Sequence, residues 1–341
     1  MARRSLGSRL RRALLKLLGL LLLATAALSA AAWWWLERPL PMAALSAELS
    51  IEAGATARGV AQAWVDAGVQ TSPRLLYEWF RWSGQARRIR AGSYEIDAGT
   101  TPRGLLAKMV QGDEMLERVR FIEGWTLRQV RASLASAAHL KATTAGMNDA
   151  QLMAALGVPD LPAEGRFFPD TYVYSRGVSD LTVLRRAHRA LEQRLAEVWA
   201  ERAADTPLTT PAQALILASI VEKETGLAAD RTLVAGVFIN RLRIGMPLQT
   251  DPTVIYGLGE AFDGNLRKRD LLADTPYNTY VRGGLPPTPI AMPGMASLRA
   301  AVRPQPTKAL YFVARGDGGS IFSDTLAEHN RAVNKTQRGK P

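Results

Sequence analysis

One stretch constrains this chain more than any other: PAQALILASIVEKETG, residues 211–226. Pro211 suits a first helical position because its missing N–H has no partner to lose there. Thr209 or Thr210 can cap the helix, and Gly226 supplies a stop. Between them lies a strongly apolar helix carrying two glutamates. Leu217, Ile220 and Val221 stand seven, four and three residues before Glu224, so the helical period puts them on its face. Glu222 stacks above Ala218 and Ser219 instead. A carboxyl group on an apolar stripe is desolvated, which raises its pKa and lets it hold a proton near neutral pH. That is the requirement for a general acid. The competing reading is a solvated EKE pattern of the kind common on helix surfaces.

The N-terminus sets the second constraint. Arg3, Arg4, Arg9, Arg11, Arg12 and Lys16 precede an uncharged run from Leu17 to Leu36 that ends in Trp33, Trp34 and Trp35. Twenty helical residues match the hydrocarbon thickness of a bilayer. Basic residues before the run and an aromatic belt at its far end orient it with the N-terminus in the cytoplasm and the remainder outside. A cleavable signal peptide is the alternative, with Ala24–Ala32 as a cleavage region, but the run is long and ends in bulky tryptophans. The expected division is a basic tail over 1–16, a transmembrane helix over 17–36 and a linker over 37–47. Half of the net charge of +12 belongs to the anchor. The remaining +6 or so suits an anionic envelope polymer and requires no nucleic acid.

Cysteine is absent, which excludes a disulfide framework, a thiolate nucleophile and cysteine-based metal sites. His139, His188 and His329 are far apart, with no metal-binding spacing, so neither a metal nor a cofactor is expected. The exported part reads as α+β. Residues 48–115 begin with the order strand, helix, helix, strand: Glu48–Glu52, Ala57–Ala67, Pro73–Trp82 and Ile89–Ile96, followed by a helix over Pro102–Val110. That order is similar to a LysM-type glycan-binding module. Residues 116–341 form a larger α+β unit.

In this second unit Arg118–Glu123 reads as a strand. Helices follow from Thr126 to about Ala137, over Asp149–Leu156 and over Asp180–Arg202. LPAEGRFFPDTYVYSRG, residues 161–177, gathers Phe167, Phe168, Tyr172 and Tyr174 around Asp170, with Glu164 nearby. Such a segment suits sugar stacking or the packing of a domain junction. A helix over Ala229–Leu242 follows, and then LQTDPTVIYGLG, residues 248–259, reads as a strand-like apolar core after a Thr-Asp-Pro turn. The proline-rich segment 275–294 reads as a long ordered loop. A helix over Met295–Ala301, a hairpin of Ala309–Ala314 and Ser320–Ser323, and a helix over Thr325–Lys335 complete the chain.

ASIVEKETG (218–226), VFINRLRIGMPLQTDPTVIYGLG (237–259), YNTY with GLPPTPIAMPG (277–294) and IFSDTLAEHN (321–330) resemble the endolytic murein transglycosylases of the YceG-like family. EGRFFPDTYVY (164–174) and VRFIEGWTL (119–127) fit the same pattern. The resemblance runs in order over about two thirds of the chain.

It implies an inner-membrane lytic transglycosylase, with its catalytic domain in the periplasm. Such an enzyme cuts the β-1,4 bond between N-acetylmuramic acid and N-acetylglucosamine and leaves a 1,6-anhydromuramic end. Ordinary glycosidases need two carboxylates. Here the substrate's own C6 hydroxyl attacks, so one carboxyl group can act as acid and then as base. Glu224 matches the family's catalytic position, and Glu222 is assigned a structural part. Gln249, Thr250, Asp251, Tyr256, Tyr277, Asn278 and Tyr280 match family motifs and are types that bind or stack on sugars, with a folding role as the alternative for each. Glu164 and Asp170 are candidates for a second carboxylate in the cleft, either steadying oxocarbenium charge or anchoring the loop. Glu328, His329 and Asn330 match the closing motif, with a capping or scaffold role expected. Ser320 departs from the pattern, which has histidine there, and is assigned no role. The resemblance also implies peptidoglycan glycan strands as substrate and peptidoglycan synthases (penicillin-binding proteins) as partners. The rival from another class is a non-catalytic, membrane-tethered peptidoglycan-binding scaffold for such synthases. A hydrolysing muramidase is a third reading.

Overall fold

The computed structural model describes residues 3–338. Met1 and Ala2 of the expected tail and residues 339–341 of the second unit lie outside the described residues, as do the side chains of 3–10, 12, 13, 337 and 338. The chain divides into two compact units: residues 1–117 with 175–177, and residues 118–174 with 178–341.

The first unit begins with α1 (Arg3–Glu37), a single helix that runs through both the basic tail and the apolar run. Among the described residues it is the one helix long and apolar enough, over Leu14–Glu37, to cross a membrane. The stretch after it is pinned rather than loose. Leu40 is buried, its N–H donates to Thr100 O at 2.8 Å, and Gln70 N donates to Pro41 O at 2.8 Å. Next come β1 (Ser46–Ile51), α2 (Ala57–Asp66), α3 (Pro73–Trp82), β2 (Gly92–Asp97) and α4 (Pro102–Gln111). β1 and β2 pair antiparallel from Ser46↔Asp97 to Ile51↔Gly92. The expected order of strands and helices is present, although β2 starts three residues later than the alternation suggests, after a 3-10 turn at Ala86–Arg88. Thr56 and Thr101 cap their helices through the side-chain oxygen, as short hydroxyl residues do at N-termini. The core is Trp64, Leu76, Phe80, Tyr94, Leu105 and Met109, with the Trp64 indole N–H donating to Met109 Sδ at 3.3 Å. Arg176 ties its three-residue segment to this unit by pairing with Glu48 at 2.8 Å and Glu117 at 3.1 Å.

β3 (Leu116–Arg120) crosses into the second unit, which continues with α5 (Leu127–Ala135), α6 (Asp149–Leu156), β4 (Thr171–Ser175), α7 (Asp180–Ala200) and α8 (Pro211–Glu224). Then follow α9 (Arg231–Arg243), α10 (Asp251–Leu258), α11 (Lys268–Leu272), α12 (Met295–Val302), β5 (Tyr311–Ala314), β6 (Ser320–Ser323) and α13 (Leu326–Val333). β3 pairs with β4, and β5 pairs antiparallel with β6 from Tyr311↔Ser323 to Ala314↔Ser320. Among the described residues the strands form three two-stranded ribbons, and helices form the bulk of the core.

α8 is the hub. Ala214, Leu215, Leu217, Ala218, Ser219, Ile220 and Val221 are all buried, packed against α7, α9 and α12. Only Ile216 in this stretch is half-buried rather than buried, so a single apolar stripe does not describe the helix. The expected strand at 248–259 is the clearest correction, since it is α10. β-Branched Thr253, Val254 and Ile255 argue for a strand, but Pro252 in the first turn and Thr250 in extended N-cap conformation start a helix, and tertiary packing overrides strand propensity.

Candidate active site

α8 delivers Glu224 as its last residue. The helix ends because Thr225 turns to extended backbone, with its hydroxyl donating to Val221 O at 2.7 Å. Gly226 follows the end of the helix as expected, without a left-handed φ. It is needed for closeness, because a Cβ there would stand 2.8 Å from the carbonyl oxygen of Gly318 in the β5–β6 turn. Glu224 thus leaves the core where the helix stops and the hairpin passes.

The hydroxyl of Thr250 donates to the Glu224 carboxylate. Burial raises the pKa of this carboxyl group, the Thr250 hydrogen bond opposes the rise, the like charge of Asp251 adds to it, and Arg241 offsets part of it. Asp251 accepts from the Tyr280 hydroxyl at 2.6 Å. The neighbourhood is locked from behind: Thr250 N donates to the Thr279 hydroxyl at 3.1 Å, and that oxygen pairs with Thr253 at 2.9 Å. Gln249, just before, takes a positive φ of 48° and is exposed. A non-glycine residue in that region costs about 1–3 kcal/mol and marks a place where the surroundings dictate the backbone.

Arg241 was not foreseen. It falls on the buried side of α9 with Val234, Val237 and Phe238, a cation on an apolar stripe, and that was the available signal. Its guanidinium donates to Leu310 O and Leu248 O, each at 2.7 Å, and sits 5.3 Å from the Tyr311 ring centroid. His329 stacks on the other partner in this cluster, Tyr311, at 5.3 Å, and burial and Arg241 hold its pKa below the ordinary histidine range.

Partners, rather than helix face, separate the two glutamates. Glu222 Oε2 accepts from Gly294 N at 2.9 Å, and Oε1 lies 3.8 Å from Arg231 Nη2, with the side chain only 8% exposed. Both oxygens serve the fold. Glu224 has one oxygen held by a hydroxyl.

A second carboxyl group occupies a groove of about 770 Å³. Glu164 lies in its wall with Leu127, Tyr256, Tyr277 and Lys223. The carboxylate accepts from Leu127 N at 3.0 Å, Gly165 N at 3.2 Å and the Tyr256 hydroxyl at 3.3 Å. Burial nevertheless pushes its pKa up to about 7. Gly165 has φ +74°, and a Cβ there would collide with Pro289 at 2.3 Å, so the turn presenting Glu164 requires glycine. Tyr256 and Tyr277 meet edge to face at 4.9 Å, and the Tyr277 hydroxyl pairs with Thr288 at 2.8 Å. Arg128 and Arg131, also unforeseen, line the groove in ion pairs with Glu260 at 3.3 Å and Asp149 at 3.1 Å.

α10 connects the two carboxyl groups. Its N-terminal end places Thr250 and Asp251 beside Glu224, and Tyr256 reaches Glu164 about 9 Å further along the helix rise. Glu224 does not itself line the groove; its neighbour Lys223 does, donating to Gly124 O at 3.3 Å. Of the remaining predicted residues, Asn278 is fully buried and its amide donates to Ala273 O at 2.7 Å and Leu271 O at 3.0 Å, holding a loop. Asp170 is exposed, caps Thr171 N at 2.7 Å, and lies 4.0 Å from Arg194. Neither side chain lines the groove. Glu328 closes a capping box with Thr325, and Ser320 engages Asp230 through its backbone N–H at 2.7 Å.

The model of the YceG-like family matches residues 49–335. The chain belongs to this family. It is similar to the endolytic murein transglycosylase of Bacillus subtilis, with 32% identity over 84% of each chain. It also resembles the endolytic murein transglycosylase of Streptococcus pneumoniae, at 26% identity over 76% of this chain and 53% of that protein's length. A crystal structure of a YceG-like protein from Listeria monocytogenes, 28% identical, superposes with a TM-score of 0.53 over 84% of this chain and 98% of that one. These family relatives span both units, so the similarity takes in the end of α8, α10 and the groove together.

Proposed function

We propose that this chain is a membrane-anchored endolytic lytic transglycosylase of peptidoglycan. It cleaves the β-1,4 bond between N-acetylmuramic acid and N-acetylglucosamine within nascent strands, ends their elongation, and leaves 1,6-anhydromuramic ends. Its relatives' names support the class of activity. The observation that carries the mechanism is the Glu224 carboxyl group, whose pKa burial raises and which Thr250 grips through one oxygen.

Protonated Glu224 donates to the glycosidic oxygen as the C1–O bond breaks. The resulting carboxylate then accepts the proton of the C6 hydroxyl as that oxygen bonds to C1. The proton is returned and no water is consumed. Glu164, through its ionised fraction, would stabilise the developing positive charge of a sugar bound in the groove it lines. Because Glu164 lines the groove with a pKa about 7, it has its own claim to the proton-donor role. α1 tethers the enzyme in the inner membrane with its N-terminus in the cytoplasm and both units in the periplasm, where peptidoglycan synthases would be its partners. The first unit, with its β-α-α-β order, would serve as a LysM-like glycan-binding module.

Product analysis of purified sacculi by mass spectrometry tests this reading. The parent yields fragments with anhydro ends, lighter by one water than hydrolysed ends, and Glu224→Gln abolishes them. Loss in Glu164→Gln with retention in Glu224→Gln would exchange the two roles. Hydrated ends identify a muramidase, and absence of product from the parent identifies a scaffold.

A further inference from the structure

The first unit carries an apolar and basic surface with no partner in the fold. α3 buries Leu76 and Phe80 and turns Arg74, Leu75, Arg81 and Trp82 outward. Leu75 is 52% exposed and Trp82 is 80% exposed, so both leave apolar area on the same helix facing solvent. Glu78 offsets Arg81 by a pair at 3.4 Å, but Arg74 remains on the face, and exposed Arg87 and Arg88 follow within six residues. The surface is therefore aromatic and cationic together.

A chain of side-chain contacts links this face to the end of α1. Trp79 lies between Leu75 and Trp82 on one edge of α3, at helical spacing from both. Its indole N–H donates to Pro102 O at 3.0 Å. Arg103, the next residue, stands over the Trp79 ring at 5.9 Å and pairs with Glu37 at 2.8 Å. Glu37 is the last residue of α1. Through Arg103 of α4, the edge that exposes Leu75 and Trp82 is thus linked to the end of the apolar helix where Trp33 and Trp34 are exposed and Arg38 stacks on Trp34 at 3.6 Å.

We propose that the Leu75–Trp82 face of α3 rests on the outer surface of the bilayer, with its arginines against anionic lipid headgroups. Tryptophan prefers the membrane interface, and each cation near an anionic surface adds to the attraction. The first unit would then be held against the membrane by two contacts, the spanning helix and this face, and would be oriented rather than freely swinging. The proposal rests on α1 being a membrane anchor.

The absence of native cysteine makes the test direct. Single-cysteine versions of the full chain, Leu75→Cys, Trp82→Cys, Thr25→Cys and Ala53→Cys, are labelled with a polarity-sensitive fluorophore. They are then reconstituted in phosphatidylethanolamine–phosphatidylglycerol vesicles containing a brominated lipid as quencher. Position 25 lies within α1, and position 53 lies just beyond β1, about 20 Å along that strand from the linker end. The expected result is strong quenching at 25, and quenching at 75 and 82 at least threefold above that at 53. Probes at 75 and 82 that behave like the one at 53, while 25 is quenched, overturn the proposal and leave the anchor standing. No quenching at 25 overturns the anchor reading and the proposal with it. Protection of 75 and 82 by added glycan strands but not by lipid reassigns the face as a sugar platform and also overturns the proposal.

Discussion

The Thr250 hydroxyl donates to the Glu224 carboxylate across 26 residues of sequence, joining the N-cap of α10 to the last residue of α8. That bond favours the charged carboxylate and opposes the burial that raises its pKa. Thr250→Val removes it and keeps the shape. The Glu224 pKa rises further, so the alkaline limb of the pH–activity profile moves to higher pH while kcat falls. A hydrogen bond to a charged group is worth about 1.5–3 kcal/mol, which corresponds to a loss of roughly 10- to 100-fold. Thr250→Ser restores both the rate and the limb. A profile that does not move removes Thr250 from any part in tuning Glu224.

α8 holds the second unit together through its buried central side chains, and Leu217 is one of them. Leu217→Ala opens a cavity beside α7, α9 and α12 and should destabilise the fold by about 2–5 kcal/mol, measured by denaturant unfolding. A loss below 1 kcal/mol would mean that the helix is less central than its burial indicates.

The contact between Gly226 and Gly318 makes a steric prediction that differs from the usual glycine penalty. Gly226 does not have a positive φ, but an added Cβ meets the Gly318 carbonyl at 2.8 Å. Gly226→Ala should cost about 1–3 kcal/mol by pushing the β5–β6 turn away from the end of α8. Gly318→Ala has open space and φ +90°, so its cost of about 1–3 kcal/mol should come through the backbone alone. Crystal structures of the two variants would separate the effects, with the hairpin displaced only in the first.

What the residues disclose in sequence is mostly local. Thr210 and Pro211 mark the start of α8, and the order of elements in the first unit follows from hydrophobic period and caps. α10 was obscured because Thr253, Val254 and Ile255 carry strand propensity while Asp251-Pro252 carries the helix start, and packing decides between them. The groove was hidden for a different reason. Leu127, Glu164, Tyr256 and Tyr277 are separated by tens of residues, and only the tertiary fold brings the Tyr256 hydroxyl to Glu164, 92 residues away. Asn278 shows the limit of residue type as a guide: an amide suited to sugars is fully buried and spends its donors on loop carbonyls.

Glu164 links the site to stability. Its pKa is pushed up from an ordinary 4.5 to about 7 in the folded chain, chiefly by burial. The folded state therefore keeps a proton that the unfolded state releases, and stability falls as pH rises from about 4.5 through 7. The full difference corresponds to about 3 kcal/mol. Glu164→Gln cannot ionise, so the variant should lose less stability than the parent between pH 4.5 and 8, with the gap closing to zero at the acid end of that range. Thermal melts of both proteins across the range check this, and parallel pH dependences would place the Glu164 pKa near its ordinary value. The same carboxyl group accepts from the Tyr256 hydroxyl, so Tyr256→Phe should raise its pKa and extend the pH range over which the parent's stability declines.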